Sequence, residues 1–284
     1  RRASNLTKNF KTPIKRNKKD TYKEIYKLFP NHSMLIQHYS IGHAQFIWDI
    51  RQNNKICDVF SKFWNVEKED LICSFDAASW HMPHEITNRG FFRKSWLHTD
   101  QSFKDSDFKC LQSWVTGYDV NPGDATLTFL EKSHKYHKEF NDVFKITDRD
   151  KQIAKKDWFK LENEEQHEFY KEKNCNKYSI KCKAGDLVCW DSRTMHCGQE
   201  PLKKRDKANF RNVAYICMTP RSFAHNKILD KRIKAFEEMR MTTHWPHKSI
   251  LFGKAPRTYG EPLPNVEQLP PPEINSLGRT LVGY

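Results

Sequence analysis

Apolar positions change their period partway along the chain. Ile56, Val59, Phe60, Phe63 and Trp64 recur at i, i+3, i+4, i+7 and i+8, which predicts an amphipathic helix laid on an apolar surface. Upstream, Asp20–Leu28 reads as a short helix and Met34–Ile50 as a longer one weakened by Gly42. Residues 1–20 are basic and polar with no apolar period, and are expected to form a flexible leader. From Asp70 onward the pattern is β-prone. Asp70–Trp80, Lys109–Val120, Ala125–Leu130, Tyr178–Cys182, Leu187–Trp190, Thr194–Cys197 and Arg211–Met218 read as extended segments. Asn121-Pro122-Gly123-Asp124 and Lys183-Ala184-Gly185-Asp186 are turn signals, the first making Ala125–Leu130 the return strand of Lys109–Val120.

Residues 132–176 are polar, charged and helix-prone, and read as an insertion between strands, outside the sheet. After Pro220, Asn226–Arg240 carries Ile228, Leu229, Ile233 and Phe236 on one helical face, and the Pro- and Gly-rich tail from Pro256 is expected to wrap as an irregular strap. Short strands broken by turn residues predict a mainly β fold with flanking helices, around a closed or two-sheet core of the jelly-roll type. The expected organisation is a leader over 1–20 and a single domain over 21–284. That domain divides into N-terminal helices 21–66, a β core over about 70–222 and a C-terminal helix and strap over 223–284.

Composition narrows the class. Apolar residues make up only 37% of the 284, but 19 Phe, 10 Tyr and 8 Trp supply a core of large rings, so most of the chain is expected to fold. No apolar run reaches the roughly 18 residues of a membrane span, and the first residues lack the apolar segment of a secretory signal. Without an initiator Met the sequence reads as a trimmed piece. The eight cysteines contain no C-x-x-C pair and are expected to be reduced, mostly buried thiols of an intracellular protein, cytoplasmic or nuclear. The sequons at Asn5 and Asn31 carry no weight in that setting. A net charge of +14 leaves a polyanionic or acidic partner open, but no zinc finger, RRM signature or basic zipper accompanies it.

The candidate chemistry centres on Trp96-Leu97-His98-Thr99-Asp100-Gln101. Chance supplies an H-x-D triplet about once in a chain of this composition. Its context after Phe91-Phe92 and Trp96-Leu97 marks a strand entering the core, and strand alternation puts His98 and Asp100 on one face. His196 lies beyond the turn and apolar strand Gly185–Trp190, where a third ligand can be brought across the core. Two imidazoles and a carboxylate on one face suit Fe(II) with open positions. Zinc hydrolysis is the competing use, but His167-Glu168-Phe169-Tyr170-Lys171 lacks the second His of the helical motif. Arg211 opens an apolar strand and would point either to solvent, the commoner case for an arginine, or into the barrel mouth, where its planar fork suits a carboxylate. His81 and His84 read as ordinary loop histidines.

The order of H-x-D, a long gap, Gly185-Asp186-Leu187-Val188-Cys189-Trp190, His196 and an Arg opening the next strand resembles the Fe(II)/2-oxoglutarate dioxygenases. Within them it is most similar to the phytanoyl-CoA dioxygenase-like family over about residues 70–222, including the block from Trp114-Val115-Thr116 to Ser133-His134. The resemblance implies a double-stranded β-helix with Fe(II) held by His98, Asp100 and His196. Arg211 would hold the distal carboxylate of 2-oxoglutarate, and Trp114 would line the cosubstrate. Arg205 is a rival for the carboxylate and Arg193 a weaker candidate for contact, while Gly198 stands where many relatives carry a hydroxyl. Asp100 implies hydroxylation, since related halogenases replace the carboxylate with a small residue. The implied reaction uses O2 and 2-oxoglutarate to hydroxylate a C–H of a small organic or lipid-like molecule, releasing succinate and CO2. Two alternatives stay open: the same chemistry on a nucleic acid or protein side chain, and a non-catalytic jelly-roll module that binds a metal or ligand.

Overall fold

The strand alternation resolves into two five-stranded sheets in a computed structural model that describes residues 6–28, 35–87, 96–149, 157–256 and 262–284. The first sheet runs β1 (Leu35–Ile36), β3 (Ala78–His81), β11 (Arg211–Tyr215), β5 (Leu111–Thr116) and β9 (Leu187–Asp191). The second runs β7 (Phe159–Lys160), β4 (His98–Thr99), β10 (His196–Gln199), β6 (Thr126–Leu130) and β8 (Lys177–Ser179). A short pair, β2 (Leu71–Cys73) with β12 (Met218–Pro220), completes the described strands, and every pairing is antiparallel. The chain crosses between the two five-stranded sheets at β3 to β4, β4 to β5, β5 to β6, β8 to β9, β9 to β10 and β10 to β11. The turn Asn121–Asp124, with Gly123 at φ 84°, therefore carries the chain to the other sheet. β6 is not the hairpin partner of β5 that the turn signal predicted; it pairs with β10 and β8.

Alternation fixes the two faces of β5. Leu111 and Val115 pack outward with Trp48 and Phe60 of the N-terminal helices, while Trp114 packs inward with Leu127 and Val213. The outer layer comprises α1 (Gln45–Arg51), α2 (Asn54–Trp64), α7 (Asn226–Glu237) and α8 (Ser276–Val282). On α2 the predicted stripe is narrower than expected: Ile56, Phe60 and Trp64 join this cluster, whereas Val59 and Phe63 stay exposed. The second sheet is covered by α4 (His137–Phe144), α5 (Ile146–Arg149) and α6 (Glu164–Glu172), whose Phe140, Ile146, Phe169 and Tyr170 meet Leu97, Met195 and Cys197. These helices come from the expected insertion, yet its residues Phe159–Lys160 pair with β4 and so belong to the sheet.

Other departures have tertiary causes. In place of one helix over 34–50 stand β1, a 3-10 turn at Ile41–His43 and α1, with Met34 outside the described residues. Gly42 lies so close to the backbone at Phe75–Asp76 that a side chain there would collide with both carbonyls. The expected flexible leader is packed in part, because Leu6 and Phe10 are buried in a cluster with Ile25, Leu28 and Leu269. The expected strap ends in α8, which the short run Ser276–Val282 was too brief to signal. Arg232, fully buried, anchors α8 by donating to the carbonyls of Leu281, Val282, Pro246 and Cys73 at 2.6–3.0 Å. All eight cysteines are free, six of them buried.

Arg232→Met is expected to lower stability by about 3 kcal/mol, because it strands four buried carbonyls at once; a denaturant midpoint at unchanged slope measures this. His43 supplies a pH prediction. It is buried among Trp48, Phe75 and Phe236, and burial pushes its pKa down to about 3 from the ordinary 6.5. The unfolded chain binds this proton more tightly, so its contribution to stability is complete above pH 6.5 and declines as pH falls toward 3. His43→Phe is expected to flatten that part of the stability profile, read by urea titration at successive pH values.

Candidate metal centre

His98 and His196 are directly opposed residues of β4 and β10, which brings their ring centroids to 4.4 Å. Asp100 follows His98 by two residues and lies on the same face, with Oδ1 3.5 Å from His98 Nε2 and Oδ2 3.3 Å from His196 Nε2. One donor atom from each residue falls within 4.8 Å of the others, the one such grouping among the described residues. Backbone carbonyls fix the tautomers. Nδ1 of His98 donates to the Trp96 carbonyl at 3.0 Å, and Nδ1 of His196 donates to the Thr194 carbonyl at 2.8 Å. Each ring therefore presents the Nε2 lone pair to the group, the arrangement that metal-binding histidines need.

Burial and charge favour the same forms. Burial pushes His98 down to about 4, so the ring is neutral near pH 7. Burial alone would raise Asp100, but its electrostatic interaction with His98, followed by those with His196 and His244, outweighs burial and holds the carboxyl well below its ordinary range. Neutral imidazole and ionised carboxylate are the ligating forms. Two nitrogens and one oxygen on one face fit Fe(II) and leave positions for other ligands.

The facing sheet brings two further predicted residues to the same interior. Gln112 and Trp114 alternate onto the inner face of β5, and Gln112 Nε2 donates to Asp100 Oδ2 at 2.8 Å. The Arg211 guanidinium sits 5.3 Å from the Trp114 ring and donates to Ser79 Oγ at 3.5 Å. Both side chains are buried, and Arg211 Nε and Trp114 Nε1 have no protein hydrogen-bond partner. The rivals are engaged elsewhere. Arg205 pairs with Glu85 at 2.8 Å and donates to the Leu202 carbonyl, and Arg193 forks onto Asp191 and donates to the Ser106 carbonyl.

His81 and His84 are not loop histidines at the surface. Both are buried, 3.5 and 3.4 Å from Glu200, His81 lying on β3 opposite Arg211 in the sheet register. Three neighbours of the centre were given no role by the sequence reading. Trp96 stacks on His98 at 4.3 Å and donates to the Gly198 carbonyl, and His244 Nε2 reaches the Asp100 carbonyl at 3.3 Å. The third is Gln112, a lone glutamine that shares the inward face of β5 with Trp114 and Thr116. Phe91 and Phe92, which framed the H-x-D triplet, lie outside the described residues.

Residues 15–200 match the family model described as phytanoyl-CoA dioxygenase (PhyH), well over half of the chain. The chain belongs to the phytanoyl-CoA dioxygenase family. The match includes His98, Trp114, Asp100 and His196 and ends before Arg211. A curated family relative, Ava biosynthesis cluster protein O of Aspergillus versicolor, is 28% identical over 214 residues, covering 75% of this chain and 67% of that protein. The fold is similar to a hypothetical protein from Escherichia coli, with a TM-score of 0.56, 16% identity, and coverage of 92% of this chain and 72% of that one. HygX of Streptomyces hygroscopicus, solved with nickel, 2-oxoglutarate and hygromycin B, shares 12% identity at a TM-score of 0.43, over 71% of this chain and 77% of its own. Among the described residues, no helix is long and apolar enough to cross a membrane.

Divalent metal is expected to stabilise the folded chain by about 2.7 kcal/mol at a hundredfold excess over its dissociation constant. Thermal melts with Ni(II) or Mn(II) in place of oxidisable iron read this. The increment should vanish in His98→Ala and His196→Ala and be removed from the wild type by EDTA.

Proposed function

We propose that the protein is an iron(II)- and 2-oxoglutarate-dependent dioxygenase that hydroxylates an unactivated C–H bond of a small organic or lipid-like substrate. The observation that carries this reading is the convergence of His98, Asp100 and His196 donor atoms within 4.8 Å in a chain of a dioxygenase family. Iron, when bound, supplies the splitting of O2 in which one oxygen atom converts 2-oxoglutarate to succinate and CO2 and the other becomes the product hydroxyl.

The chain's own residues do the rest. His98 and His196 bind through Nε2, since their Nδ1 hydrogens are committed to backbone carbonyls. Asp100 binds as a carboxylate, and its presence at the third ligand position favours hydroxylation over halogenation. Arg211 takes the distal carboxylate of 2-oxoglutarate. Its fork is buried, stacked over Trp114 and holds an unmatched donor, and a buried cation of this kind calls for an anionic partner. Arg205 and Arg193 suit that role less well, since each is already paired with a carboxylate, Glu85 and Asp191. A small-molecule substrate accords with the name of the fungal relative, which carries the words biosynthesis cluster.

Succinate formation from 2-oxoglutarate with Fe(II), O2 and ascorbate tests the reading. Wild-type protein should turn over even without substrate. His98→Ala and Asp100→Ala should lose that turnover by a hundredfold or more, on the order of 3 kcal/mol in the barrier. Arg211→Ala should raise KM for 2-oxoglutarate by roughly ten- to a hundredfold, the loss of charge-assisted hydrogen bonds, while Arg205→Ala leaves it unchanged. Full activity in either ligand variant overturns the metal assignment, and an unchanged KM in Arg211→Ala overturns the carboxylate assignment.

A further inference from the structure

All three candidate ligands belong to the second sheet or the residue just after β4, and they are held in different ways. The two histidines are each oriented by a carbonyl of their own strand segment, Trp96 for His98 and Thr194 for His196. Asp100 has its backbone fixed locally, with its N–H donating to the Ser192 carbonyl at 3.1 Å and its own carbonyl reached by His244. Its carboxylate, however, is gripped by Gln112 Nε2 from β5, a strand of the opposite sheet, at 2.8 Å. Gln112 is 3% exposed, and its Oε1 has no protein hydrogen-bond partner. The amide orientation is set by charge. Turned over, it would bring a carbonyl oxygen against an ionised carboxylate and lose the hydrogen bond.

We propose that Gln112 is a positioning residue for the metal centre: it occupies Asp100 Oδ2 so that Asp100 presents Oδ1 as a single-oxygen ligand, and it ties that ligand to the cosubstrate wall of the facing sheet. The inference rests on the reading of His98, Asp100 and His196 as metal ligands. A free carboxylate can turn about its terminal torsion and offer a metal one oxygen or two. The Gln112 hydrogen bond removes that freedom. A carboxylate bound through both oxygens would fill a position that the reaction needs open. Gln112 is also two residues from Trp114, on which Arg211 stacks. The spacing between the ligand face and the Arg211 wall is thus set through one amide, not through the β4–β10 pair alone.

Co(II) titration followed by its visible absorption tests this without turnover. Gln112→Met keeps side-chain length and buries no new polar atom. It is expected to retain the metal-free melting temperature within a few degrees, to weaken Co(II) binding by roughly ten- to a hundredfold and to change the visible spectrum in position or intensity. Gln112→Asn keeps the amide but withdraws it by one methylene, and is expected to show the same loss. A purely structural role predicts the reverse: altered melting with Co(II) affinity and spectrum as in wild type. That result in a folded variant overturns the proposal. Failure of wild-type protein to bind Co(II), with His98→Ala indistinguishable from it, overturns the ligand reading itself and the Gln112 role with it.

Discussion

The site depends on one register, the pairing of His98 with His196 across β4 and β10. Because side chains alternate with a period of two, that register is decided by the residues on the other face of the same strands. Leu97, Met195 and Cys197 are buried in the cluster formed with Phe140, Phe159, Phe169 and Tyr170. Thr99, also buried, donates its hydroxyl to the Ser192 carbonyl. A slip of one residue would place His196 in the helical layer and Met195 or Cys197 in the polar interior. The apolar packing of α4 and α6 thereby aims two imidazoles at one point. The insertion that supplies those helices is part of what builds the centre, although none of its residues is in the ligand group.

The facing sheet shows the opposite economy. Gln112 Oε1, Trp114 Nε1 and Arg211 Nε are all buried without a protein partner, and all lie on the interior side of β5 and β11. Each unmatched group costs on the order of 1–3 kcal/mol in a folded core. Elsewhere the guanidinium of Arg232 is matched by four backbone carbonyls. These three unmatched atoms face the interior that also holds His98, Asp100 and His196, where a polar ligand would match them and offset their cost.

How much of this was legible in the sequence follows from the range over which each signal acts. His98, Asp100 and His196 could be read because each is a chemistry-bearing residue on a strand whose alternation assigns its face. Arg211 stood out as a candidate because a charged residue opening an apolar strand is conspicuous. Gln112 could not, since a single glutamine in a strand looks the same whether it meets water or a buried carboxylate. The same limit applies to Gly42, whose necessity comes from the carbonyls of Phe75 and Asp76 more than thirty positions on, and not from its neighbours in the chain. β7 and α8 were missed because two residues and seven residues carry too little period to detect, and their placement is decided by β4 and by Arg232. Leu6 and Phe10 were isolated apolar positions in a basic stretch, and burial by Ile25 and Leu269 is a tertiary event.

The buried arginines explain how so polar an interior keeps a fixed shape. Arg232 donates to the Cys73 carbonyl and Arg51 to the Asp76 carbonyl at 3.1 Å, so two guanidinium groups hold the backbone at either end of residues 73–76. That segment feeds directly into β3, whose Ser79 accepts from Arg211. Arg51 also donates to the Gly42 carbonyl, on the turn that packs against the same segment. A lysine could not do this work: a compact ammonium has three donors on a flexible stem, whereas the planar fork reaches carbonyls in several directions and stays charged when buried. Their position is thus set from the outer helical layer inward, through backbone carbonyls to β3 and then to the inner face. The polar residues of that face can remain unmatched toward the centre because the strands bearing them are fixed from behind.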